Sequence, residues 1–61
     1  MPLSGREMLQ RYLKSGWQKL RQKGSHVIVR KGKKTQVIPM HDELKKGLEN
    51  KLLKDLAKDV D

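Results

Sequence analysis

The chain contains no cysteine and no phenylalanine, and its aromatic residues amount to Tyr12 and Trp17. Without thiols it has neither a disulfide framework nor a thiolate zinc site, which excludes the stapled mini-proteins of oxidising compartments and points to a reducing cytoplasm. One tyrosine and one tryptophan cannot stack several bases across a sheet, so the aromatic platforms of RNA-recognition motifs and oligonucleotide-binding barrels are excluded as well. Tyr12 and Trp17 read as core residues instead. Long apolar runs are also missing. The opening residues Met1-Pro2-Leu3-Ser4-Gly5-Arg6 lack the apolar stretch of a signal peptide, and no later segment is long enough to cross a bilayer.

The scarcest property is negative charge where it would matter most. Between Lys19 and Lys34 stand Lys19, Arg21, Lys23, Arg30, Lys31, Lys33 and Lys34 with no acidic residue among them. Residues 1–40 hold ten Lys or Arg against Glu7 alone, whereas residues 41–61 hold five against six acidic residues. A polyanion approaching the first part meets an unopposed positive field. The basic run is interrupted by Gly24, Gly32 and β-branched residues, so it cannot form the single amphipathic helix of a membrane-surface segment. A length of 61 residues fits one domain, residues 1–61, with a core of a handful of side chains.

Local patterns give the element order. Ser4 followed by Glu7 is a capping-box pair, and Met8, Leu9, Tyr12 and Leu13 recur at helical spacing before Gly16, which predicts a helix from Ser4 to Ser15. Trp17 to Gln22 is predicted as a short strand ended by Gly24-Ser25. Val27-Ile28-Val29 is the clearest strand signal, Lys31-Gly32-Lys33-Lys34 a turn, and Thr35-Gln36-Val37-Ile38 a third strand closed by Pro39. Met40 to Lys46 reads as a loop, with Leu44 a possible addition to the face of the helix that follows. From Gly47 a second helix carries Leu48, Leu52 and Leu56 at four-residue steps, with Leu53 beside them and Val60 as an extension. The expected architecture is α+β, in the order α-β-β-β-α: a three-stranded antiparallel sheet with two helices on one face. In the middle strand Val27 and Val29 then face the helices, while His26, Ile28 and Arg30 share the other face.

Within the basic segment Gly24-Ser25-His26 stands out, because it sets an imidazole beside a small polar turn. Histidine exchanges protons near neutral pH, whereas lysine and arginine stay charged and serve to attract and position anions. Chemistry on phosphate with His26 as the proton-transfer group is the reading these residues support; a turn residue without chemistry is its plain alternative.

Several stretches together resemble the HicA toxin family of prokaryotic toxin–antitoxin systems. They are Lys14-Ser15-Gly16-Trp17, Arg21-Gln22-Lys23-Gly24-Ser25-His26, Pro39-Met40-His41 and Glu43-Leu44-Lys45-Lys46-Gly47-Leu48. The resemblance covers nearly the whole chain, with Arg-Gln-Lys-Gly-Ser-His at 21–26 its most specific part; Leu48 departs from it, standing where many members carry threonine. It implies a fold like the double-stranded-RNA-binding domain, cleavage of messenger RNA, neutralisation by a HicB-type antitoxin, and a catalytic histidine at His26.

Metal-independent RNA cleavage needs a base for the ribose 2′-hydroxyl, donors for the charge on the pentacoordinate phosphate, and an acid for the leaving 5′-oxygen. His26 fits the role of general base or acid. Lys23 and Arg30 are the foremost phosphate partners, the Gly24 and Ser25 amides help hold the backbone, and Arg21, Lys31, Lys33 and Lys34 complete the RNA-binding set. His41 is a second acid/base candidate. No metal and no cofactor is expected: His41, Asp42 and Glu43 are adjacent, but consecutive side chains seldom converge on one ion. The alternative is a non-catalytic module of double-stranded-RNA-binding type, gripping a duplex by shape and phosphate contacts.

Overall fold

A computed structural model describes residues 2–58. Helix α1 spans Gly5–Lys14, strands β1, β2 and β3 span Gln18–Lys23, His26–Lys31 and Lys34–Pro39, and helix α2 spans Lys46–Lys58. The three strands form one antiparallel sheet in the order β1-β2-β3, the expected α-β-β-β-α fold of double-stranded-RNA-binding type.

Each boundary has a local cause. The capping box at the start of α1 is fully formed: the Ser4 hydroxyl accepts from the Glu7 amide at 3.1 Å and the Glu7 carboxylate accepts from the Ser4 amide at 3.0 Å. These bonds hold the Glu7 carboxyl below the ordinary carboxylate range, the backbone bond from Ser4 contributing most. At the other end Ser15 is the C-cap and Gly16 takes a φ of +96°. The Gly16 amide donates to Leu13 and the Trp17 amide to Tyr12, at 3.2 and 3.1 Å, which is a Schellman closure. Both hairpin turns are two residues long and begin with glycine, Gly24 at φ +60° and Gly32 at φ +61°. Because Ser25 and Lys33 keep negative φ, these are type II′ turns, whose twist matches that of the strands they join.

The core lies between the sheet and the helices. Met8, Tyr12, Trp17, Val27, Val29, Ile38, Leu44 and Leu52 are buried, and Leu48, Leu53 and Leu56 of α2 pack against them. The two valines of β2 point inward, as strand alternation requires. Tyr12 and Trp17 are core residues in edge-to-face contact, 4.9 Å between centroids, and the Tyr12 hydroxyl ties α1 to α2 by donating to the Leu52 carbonyl at 2.7 Å.

The structure departs from the sequence pattern in several places. Trp17 belongs to the helix closure rather than to β1, whose six residues begin at Gln18. Strands β2 and β3 reach further than the apolar triplets, and Pro39 forms the end of β3 rather than a stop after it. Helix α2 starts at Lys46, one residue before Gly47. Leu44 is buried although it lies in the connection, anchored by its amide on the Leu3 carbonyl at 2.9 Å. Val60 lies outside the described residues.

Candidate nucleic-acid interface

Two helices cover one face of the sheet and leave the other open, and the strand register decides which side chains stand on it. Directly opposed residues of an antiparallel pair share a face. Lys19 and Gln22 of β1 oppose Val29 and Val27, and Gln36 and Ile38 of β3 oppose the same two valines, so all of these lie on the helix side. The open face carries Gln18, Arg21 and Lys23 from β1, His26, Ile28 and Arg30 from β2, and Thr35 and Val37 from β3, with Pro39 of the same phase buried.

Strict alternation along β1 would turn Arg21 and Lys23 inward. A β-bulge between Lys19 and Arg21 resets the phase: Leu20 is the extra residue, Arg21 stands opposite Ile28 and Lys23 opposite His26. Leu20 lines a shallow opening with Gln18 and Arg30, which places it on the same open side.

His26 is exposed at the first position of β2, flanked across the sheet by Lys23 and Pro39. Its turn is held on both sides. The Gln22 side-chain amide donates to the Gly24 carbonyl at 3.0 Å, and the Met40 amide donates to the Ser25 carbonyl at 2.6 Å. Arg30, on the same face four residues along, is oriented by its Nε donating to the Gly32 carbonyl at 2.7 Å; the two terminal nitrogens of the guanidinium are left to meet another acceptor. Among the described residues no carboxylate belongs to the strands of this face. Glu7 is engaged with Ser4, Glu49 accepts from the Leu3 amide and Asp55 accepts from Gln36, all on the helix side.

The basic residues read from the sequence as one set therefore separate into groups. Arg21, Lys23 and Arg30 surround His26 and Ile28 on the open face, with Gly24 and Ser25 at its rim. Lys31 and Lys34 oppose each other at the far end with the inward phase, and the Lys31 ammonium donates to the Ser15 carbonyl at 2.9 Å, at the C-terminal end of α1 where a cation is favourable. Lys33 sits at the tip of the second turn. The histidines also part: His41 lines a cleft of about 450 Å³ with Ser4, Arg6, Leu9, Gln22, Val27, Met40 and Asp42, and His26 is not among its walls. Among the described residues no three His, Cys, Asp or Glu side chains come together.

Composition and spacing pointed to the cations and to His26 but not to the bulge that turns Arg21 and Lys23 toward it; the irregularity of the apolar pattern along Gln18–Lys23 is the only trace it leaves in the sequence.

A small basic domain of double-stranded-RNA-binding type, with a histidine among cations on its uncovered sheet face, is the class this fold and site define. The family model described as HicA toxin of bacterial toxin–antitoxin matches residues 5–57, nearly the whole chain, and the protein belongs to that family. Membership implies a cognate antitoxin as partner. Comparison with curated proteins and with solved structures gave no significant match. No helix among the described residues is long and apolar enough to cross a membrane.

Proposed function

We propose that this toxin is a metal-independent endoribonuclease that cleaves messenger RNA in the cytoplasm, arrests translation and growth, and is neutralised by a HicB-type antitoxin. The observation that carries the reading is the cross-strand pair of Lys23 and His26, exposed on the open face beside a rigidly held turn. Residues 1–61 act as one domain.

The imidazole of His26 draws the proton from the ribose 2′-hydroxyl, which then attacks the adjacent phosphorus; the 5′-oxygen of the next nucleotide leaves and takes up a proton. DNA lacks the attacking hydroxyl and is not cleaved. Lys23, directly across from His26, meets the oxygens of the reacting phosphate as negative charge builds in the transition state, and Arg30, four residues along β2, holds a phosphate further along the chain through its two terminal nitrogens. The Gly24 and Ser25 amides lie at the same rim, and Arg21 extends the track for the phosphate chain. Lys33 and Lys34 add long-range attraction, whereas the role of Lys31 is chiefly to close α1. His41 lines the separate cleft on the helix side and takes no part in this step.

The reading is tested with a labelled RNA in the presence of excess chelator. The wild-type protein shortens the RNA, and His26→Ala lowers the cleavage rate by at least about 100-fold while retaining RNA affinity within a few-fold. RNA that is retarded but never shortened by the wild type would assign the protein to non-catalytic binding instead.

A further inference from the structure

The open face of the sheet is not uniformly polar. Its residues fall into three rows that run across the strands: Lys23, His26 and Pro39 at one end; Gln18, Arg30 and Thr35 at the other; and between them Leu20 with Arg21, Ile28 and Val37. Each strand brings an aliphatic side chain to this middle zone, although the β1 residue in register with Ile28 is Arg21 and Leu20 is its neighbour at the bulge. Leu20 and Val37 are 51% and 47% exposed, the two large apolar side chains of the described residues that stand out in solvent, and Ile28 between them is half-buried. In a sheet with one solvated face that row would ordinarily be polar. The β-bulge that brings Arg21 outward also puts Leu20 there, so strand irregularity and apolar exposure coincide.

Nucleic acid gives no account of this row. Phosphate and 2′-hydroxyl groups are met by Lys23, Arg21 and Arg30, and three aliphatic side chains offer neither a hydrogen bond nor an aromatic plane for a base. A protein partner does give one, since an apolar centre inside a polar, charged rim is the anatomy of a protein–protein contact. The rim here carries Arg21, Lys23 and Arg30 without a carboxylate, so its complement is an apolar cluster framed by Asp or Glu.

We propose that the row formed by Leu20, Ile28 and Val37 is the anchor on which the cognate antitoxin seats an apolar cluster bordered by acidic side chains, and that this anchor is distinct from the determinants of RNA binding. The proposal rests on the toxin reading above and adds to it which residues the inhibitor recognises. Inhibition then follows from position. A partner held on the middle row overlies the His26 row on one side and the Arg30 row on the other, and RNA is excluded from both. RNA is gripped by the cations and the antitoxin by the aliphatic row, so a change in the row alone separates the two.

The experiment uses the full chain carrying Leu20→Thr and Val37→Thr, a β-branched replacement that keeps strand propensity at two solvent-exposed positions. Circular dichroism and thermal unfolding establish that the fold persists; should the double variant unfold, Leu20→Thr alone serves. Affinity for the purified HicB-type antitoxin and cleavage of labelled RNA are then measured side by side. The expected result is a loss of antitoxin affinity of about 30-fold or more, with RNA cleavage unchanged within about twofold and growth arrest no longer relieved by co-expressed antitoxin. Unaltered antitoxin affinity in the folded variant overturns the proposal. So does a loss of RNA cleavage with antitoxin binding intact, which would give the row to RNA. A wild-type protein that binds antitoxin through this row but cleaves no RNA would contradict the nuclease reading and leave the anchor standing.

Discussion

At the scale of single residues, what distinguishes His26 is its placement. It is exposed, it follows a turn fixed by Gln22 and Met40, and Lys23 faces it across the hairpin. Glu7 shows how the structure marks a residue electrostatically: its carboxyl is held below its ordinary value of 4.5 by the Ser4 backbone bond, then by the Ser4 hydroxyl. A lowered folded-state value means that the carboxylate stabilises the folded protein above the ordinary value and that this contribution disappears as pH falls through the folded one. Glu7→Ala should therefore lower the unfolding midpoint at neutral pH, with the difference from wild type shrinking as pH falls below the ordinary carboxylate range. A difference that stays constant across this range would show that the charge of Glu7 contributes nothing. His26 and the capping pair were both legible in the sequence because each depends on neighbours within three residues. The turn of Arg21 and Lys23 onto the face of His26 was not, since it depends on a bulge and on pairing between strands.

At the scale of elements, glycine decides two kinds of contact. Gly24 opens the type II′ turn that presents His26 and is surrounded by open space. Gly5, in the first turn of α1, is confined by packing: its amide donates to the His41 carbonyl at 2.9 Å, and a Cβ there would run into the Pro39 carbonyl, with Met40 Cα at 2.8 Å. Helix α1 can lie against the end of β3 only because that position has no side chain. Gly5→Ala should cost at least about 2 kcal/mol, because the obstructing atoms are backbone and cannot rotate away. For a domain of this size that corresponds to a fall in melting temperature of roughly 10 °C, read by thermal unfolding; an unchanged melting temperature would show that α1 shifts freely. From sequence, Ser4-Gly5 reads only as part of a helix start. The burial of Leu44 escapes the helical-period pattern for the same reason, since a loop residue is fixed in the core by a distant bond to Leu3. Element order and the inward valines were legible because binary pattern alone sets them.

At the scale of the whole molecule, the division of charge follows the division of the fold. The helix side contains the carboxylates that engage Ser4, Leu3 and Gln36, and the open face has cations without a counter-charge around an aliphatic row. Composition revealed the excess of positive charge but not its facing: Lys31 and Lys34 have the inward phase and Lys31 closes α1, so the field at the open face comes from fewer residues than the basic run contains. One face thus carries the cations and the aliphatic row together, and on the readings proposed above a protein seated on the row denies the face to RNA. The central claim is that the imidazole of His26 is what makes this protein toxic. It is tested most directly by inducing the wild type and His26→Ala in parallel cultures matched for protein level. Growth arrest by the wild type with normal growth of the variant is the predicted result, and equal arrest by both would contradict it.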